Sequence, residues 1–109
     1  LKLVVAVVHN RDKGRVVEDL IRNGFKFTII GSTGGFLKEG NTTFLVGTDE
    51  EQKETLLRLV QQNCQQREQM VNVLPPDATP VGPFVPNPIK VPVGGAIVFV
   101  LDVEQFERF

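Results

Sequence analysis

The sequence predicts an α+β domain whose elements run β-α-β-β-α-β, with an extra strand pair late in the chain. Three observations predict it. Apolar, β-branched runs stand near both ends, KLVVAVV at Lys2–Val8 and AIVFVLDV at Ala96–Val103. Two internal segments repeat apolar residues at helical spacing behind helix-start signals, and period-two alternation fills stretches between them. With 109 residues the chain has the length of a single domain, 1–109, large enough for a core and small enough that a neighbouring subunit would add useful burial. A hydrophobic fraction of 41% and a charged fraction of 23% exclude a disordered chain. The net charge of -1 argues against a nucleic-acid polymer as partner, because such binding needs many phosphate-neutralising cations. Cys64 is the single cysteine, so no internal disulfide forms and a cytoplasmic location is expected. No apolar run is long enough to span a bilayer and no signal-peptide pattern is present, so no membrane insertion is expected.

Taken in order, KLVVAVV reads as a core strand, since an unbroken apolar run suits a strand covered on both sides. His9 and Asn10 end it. His9 is the only histidine and has no acidic or cysteine cluster beside it in sequence, so it is read as a strand-end residue. Asn10 or Asp12 is expected to cap a helix with the apolar stripe Val16, Val17, Leu20 and Ile21, which Asn23 and Gly24 stop. Phe25 to Ser32 then alternates, with Phe27 and Ile29 on one face and Lys26, Thr28 and Ile30 on the other. Thr42 to Gly47 is the next strand, making a hairpin with its predecessor. Thr48 is expected to cap the second helix, with Glu51 completing a capping box and Asp49 and Glu50 at the positive end of the dipole. That helix should bury Leu56, Leu57, Leu59, Val60 and Cys64, which makes Cys64 a core residue rather than a reactive one. Arg67 to Leu74 alternates as a strand. Pro75 to Pro88 is a long proline-rich loop, of a length usually found in functional lids. Ile89 to Val93 resumes a strand, Gly94 and Gly95 allow a bend, and Ala96 to Val103 is the last core strand. Phe106 and Phe109, in the EQFERF tail, are placed to dock on a neighbour. This order is the ferredoxin-like plan, a four-stranded antiparallel sheet with two helices on one face. The other face needs a cover, and trimerisation with the sheets turned inward would supply it.

The stretch STGGFLKEGNTTF, Ser32 to Phe44, has the composition of a binding loop. Gly34, Gly35 and Gly40 let a ligand approach the backbone. Ser32, Thr33, Asn41, Thr42 and Thr43 offer short polar groups, and Phe36 is an aromatic on which a base could stack. The plainer reading is a hairpin connection in which Phe36 and Leu37 plug a core edge. Neither the dinucleotide fingerprint nor the phosphate-loop motif is spelled out here.

The blocks KLVVAVV, STGGFLKEGNTTFLVGT, NCQQREQMV and VGGAIVFVLDVEQFERF, in this order and spacing, resemble the PII-like cyclic di-AMP receptor family over almost the whole chain. The resemblance implies a homotrimer of PII-like, ferredoxin-like subunits with one cyclic di-AMP at each subunit interface, no catalytic activity, no cofactor, and a downstream protein partner. By position it places ligand contacts at Lys26, Thr28, Gly35, Phe36, Leu37, Asn41, Gly47, Phe99 and Arg108. Amides around Gly35, Phe36 and Leu37, with the Thr28 hydroxyl, suit phosphate oxygens, and the Asn41 amide suits an adenine edge. The sequence departs from the family pattern at Lys26, in place of arginine, at Arg108, in place of glutamine, and at Glu39, in place of a small residue. A PII-type sensor of ATP or AMP is the alternative, and a small ferredoxin-like enzyme is a remoter one. Against the enzyme, the glycine loop holds no cysteine or histidine nucleophile-base pair.

Overall fold

The computed structural model describes residues 1–32, 40–73 and 87–109. Its elements are β1 (Lys2–His9), α1 (Lys13–Arg22), β2 (Phe27–Ser32), β3 (Asn41–Thr48), α2 (Glu50–Cys64), β4 (Arg67–Val73), β5 (Asn87–Val93) and β6 (Ala96–Asp102). Four strands form an antiparallel sheet in the order β2-β3-β1-β6, and among the described residues β4 and β5 pair with each other in a two-stranded ribbon. The four-stranded order is that of the ferredoxin-like plan, with the ribbon inserted between α2 and the last strand. Expected elements on residues 33–39 and 74–86, which include most of the glycine loop and of the proline-rich stretch, lie outside the described residues.

Side-chain alternation assigns the two faces of the sheet. Val4, Ala6 and Val8 of β1 and Phe44 and Val46 of β3 join Val16 and Leu20 of α1 and Leu56, Leu59, Val60 and Cys64 of α2 in one buried cluster. This is the helix-covered face. Phe27 packs edge-on to Phe44, with ring centroids 5.9 Å apart and planes at 60°. Cys64 is buried, and burial pushes its thiol pKa up to about 11, so it is a packing residue, as its helical position implies.

The helix ends show where local chemistry and expectation differ. At the end of α1, the Gly24 N–H donates to the Ile21 carbonyl (3.1 Å) and the Phe25 N–H to the Leu20 carbonyl (2.9 Å), with Gly24 at φ 76°. That pair of bonds is a Schellman motif. It turns Phe25 into the core beside Leu20, which is why β2 begins at Phe27 rather than at Phe25. Ile21, expected in the buried stripe, is 66% exposed, because the cluster is already filled by Val16 and Leu20 with Val17 at its edge. Asp12 occupies the N-cap position of α1 but makes no capping bond with its side chain, which is directed to arginines instead.

For α2 the cap is Asp49 and not Thr48. The Gln52 N–H donates to Asp49 Oδ1 at 2.7 Å, while Thr48 is still the last residue of β3. Asp49 and Glu50 stand at the dipole's positive end as expected, but with Asp49 as the cap Glu51 closes no capping box with Thr48 and is a second first-turn carboxylate instead. Asp49→Ala is expected to lower unfolding free energy by about 1 kcal/mol, whereas Thr48→Ala leaves that cap bond in place. Urea denaturation of the two variants checks the assignment.

The opposite face of the sheet has no helix on it. Its rows follow from the register: Thr28, Leu45, Val5 and Phe99 stand side by side across all four strands, flanked by Ile30, Thr43, Val7 and Ile97 on one side and Gly47, Leu3 and Leu101 on the other. Ile30 is 44%, Phe99 42% and Leu101 49% exposed. Exposed apolar side chains of both edge strands thus share this one face. No helix among the described residues is long and apolar enough to cross a membrane.

Candidate ligand-binding site

At one end of this open face lies a cleft of about 640 Å³, lined by Leu1, Lys2 and Leu3, by Lys26, Phe27 and Thr28, by Leu45 and Gly47, and by Val103 and Phe106. Such a volume suits a small-molecule ligand. Three of the residues expected to contact ligand, Lys26, Thr28 and Gly47, therefore meet in one cavity. Their convergence comes from pairing: β2 and β3 run antiparallel with Phe27 opposite Val46 and Thr28 opposite Leu45, which brings the start of β2 against the end of β3. Gly47 has open space where a Cβ would stand, so its backbone is accessible from the cleft.

The electrostatics of the cleft distinguish its two lysines. Lys2 Nζ donates to Asp102 across β1 and β6 and lies 3.6 Å from Glu50 Oε2. The bond to Asp102 holds the Lys2 pKa above, and the Asp102 pKa below, their ordinary values. Lys2 is thus neutralised locally. Lys26 makes no ion pair with any described residue and is the cation of the cleft available to an anion. It is a point charge rather than a planar fork, so it attracts phosphate without fixing its orientation.

The remaining expected contacts separate into groups. Phe99 shares the cross-strand row of Thr28 but sits on the other edge strand, three strand spacings or about 14 Å away. Arg108 is exposed in the tail, two residues beyond the cleft-lining Phe106. Asn41 begins β3, opposite His9 and Ser32, some 20 Å along the strand from Gly47 at ~3.4 Å per residue. It is 7% exposed. Gly35, Phe36 and Leu37 fall outside the described residues, though the segment that carries them springs from Ser32 and Gly40, at the Asn41 end of the sheet. Within one chain, then, the cleft holding Lys26, Thr28 and Gly47 and the residues at the base of the glycine loop occupy opposite ends of the same open face.

Leu1, Leu3 and Val103 were not singled out from the sequence as cleft residues, and Phe106 was assigned only to docking. The tail reaches the cleft because the Val103 N–H donates to the Leu1 carbonyl at 3.1 Å, extending the β1–β6 pairing beyond the strand ends. Nothing local to EQFERF signals that bond. Phe106, 68% exposed, gives the cleft an aromatic surface on which a base could stack.

A family model described as Cyclic-di-AMP receptor matches residues 1–109, the whole chain. Among solved structures, the crystal structure of a functionally unknown protein from Pediococcus pentosaceus is similar, with a TM-score of 0.78 and 40% sequence identity over 99% of this chain and 96% of that one.

Proposed function

The chain belongs to the cyclic-di-AMP receptor family, and from that premise we propose that it is a cytoplasmic signal-transduction receptor, a homotrimer that binds cyclic di-AMP between its subunits without catalysing a reaction. The observation that carries this reading is the division of the site. Lys26, Thr28 and Gly47 stand at one end of the open sheet face and Asn41 with the base of the glycine loop at the other, so a ligand touching both groups bridges two copies of the chain. The same apolar face needs a cover, and a closed ring of three sheets turned inward supplies it.

In this arrangement Lys26 and the Thr28 hydroxyl hold one phosphate region, the backbone at Gly47 admits close approach, and Phe99 and Phe106 present aromatic surface. Arg108 adds charge from the tail. Asn41 reads an adenine edge, and the amides of Gly35, Phe36 and Leu37 bind phosphate oxygens. No cofactor takes part. Ligand binding orders the glycine loop and biases the proline-rich loop, which a downstream protein reads.

Leu101 tests the shared site because it lies on the open face, is half-exposed in the isolated subunit, and is not among the expected ligand contacts. Leu101→Asp is expected to convert a trimer to monomers by placing a carboxylate in a desolvated interface, and to abolish cyclic di-AMP binding with it. Sedimentation velocity and equilibrium dialysis on the same sample read both outcomes. A monomeric variant that binds with unchanged affinity would show the site to be complete in one subunit and defeat the proposal.

A further inference from the structure

We infer that the turn His9–Asp12 positions the base of the glycine loop through Asn10 and the root of the β4–β5 ribbon through Asp12, so that the two ends are mechanically coupled. This deepens the receptor reading by naming the path along which occupancy is relayed, and rests on that reading only for what is relayed. On one side, the Asn10 N–H donates to the Gly40 carbonyl at 3.0 Å, and Asn10 Oδ1 accepts from Thr42 Oγ1 at 2.6 Å. A Cβ on Gly40 would stand 2.6 Å from Asn10 Nδ2, so a larger residue there displaces the Asn10 amide. Gly40, the last glycine of the loop, and Thr42 at the start of β3 are thus both fastened to Asn10.

On the other side, the Asp12 N–H donates to the His9 carbonyl at 2.9 Å and closes the turn. The Asp12 side chain is fully buried, and its Oδ1 accepts from Arg15 Nη2 at 2.5 Å and from Arg67 Nη2 at 3.1 Å. Arg67 is the first residue of β4. The returning leg of the ribbon is held at the same place: the Gly95 N–H donates to the Cys64 carbonyl, and Gly94 has φ 84° with Arg67 Nη1 only 2.7 Å from where its Cβ would be. The buried Asp12 carboxylate shares one oxygen between Arg15 and Arg67, so a shift of the turn is passed through this ion pair to Arg67 and the root of the ribbon. Movement of the turn at Asn10 shifts Asp12 two residues away, and coupling of this kind acts equally in both directions.

Hydrogen exchange on the full chain tests the relay, first without ligand. Asn10→Ala and Thr42→Val, which each remove the side-chain bond, are expected to speed exchange about fivefold at residues 40–43 and also in β4 and β5, the weight of roughly one hydrogen bond. Asn10→Asp, which keeps the acceptor, is expected to restore both. Arg67→Met, a change at a partly exposed side chain, is expected to loosen the ribbon and residues 40–43 together. The Val4–Ala6 amides, whose β3 partners lie outside residues 40–43, report global stability and should stay slow in all four variants. Variants that each loosen only their own end would overturn the coupling. With cyclic di-AMP, protection is expected at both ends in the wild type and only at 40–43 in Arg67→Met. A wild type that gains no protection anywhere would contradict the receptor reading, while the ligand-free comparison still decides the relay.

Discussion

Gly47→Leu is expected to leave the subunit folded and to weaken cyclic di-AMP binding by about a hundredfold or more, which is about 2.7 kcal/mol. The position is exposed, its φ is not in the left-handed region, and no atom lies within 4 Å of where a Cβ would be, so the fold has no objection to a side chain. The open space is the cleft itself, where Lys26 and Thr28 also converge. A leucine there fills room that the proposed ligand needs. Thermal melts paired with a binding titration check both halves, and wild-type affinity in a folded Gly47→Leu protein would remove this cleft from the site.

Phe44→Ala is expected to destabilise the protein by about 3–5 kcal/mol, the usual cost of removing a buried aromatic and leaving a cavity. Phe44 is 0% exposed, at the centre of β3, and flanked across the sheet by Ala6 and Ile29. The small Ala6 leaves its room to the ring, and the loss of Phe44 also strands Phe27, whose ring packs edge-on to it. Urea midpoints at one fixed protein concentration measure the effect, since subunit association would otherwise shift the apparent stability. A loss below 1 kcal/mol would mean that the neighbours collapse into the space.

These two positions also show what could be read in advance. The helix-covered core was legible in α2, where Leu56, Leu59, Val60 and Cys64 lie where helical spacing puts them, but not in β1: its unbroken apolar run suggested cover on both sides, and helices cover only the face of Val4, Ala6 and Val8. The hairpin of β2 and β3 was legible too. Helix ends were less so. Thr48 and Asp49 are both good capping residues, and only the length of β3 decides between them. Asn10 or Asp12 was read as a cap because local chemistry favours both, yet the Asp12 side chain pairs with Arg67, 55 residues away, and no local pattern announces such a pair.

For the site, the resemblance supplied residues but not their grouping. Lys26 and Thr28 share a face by alternation, and Gly47 joins them through a register set by pairing across the sheet. That Lys2 would be neutralised by Asp102, leaving Lys26 as the available cation, depends on β1 lying beside β6, a contact between the two ends of the chain. Phe106 enters the cleft through a backbone bond that its own segment does not encode. Long-range pairing, invisible to a window of sequence, decides each of these cases.

The most direct measurement of the receptor reading is titration calorimetry of the purified wild-type protein with cyclic di-AMP, and in parallel with ATP, AMP and cyclic di-GMP. Saturable binding of cyclic di-AMP at one ligand per subunit, at least tenfold tighter than any of the others, a difference of about 1.4 kcal/mol, is the expected result. Saturable binding of ATP or AMP with no heat from cyclic di-AMP would contradict it and make the protein a sensor of a different adenine nucleotide.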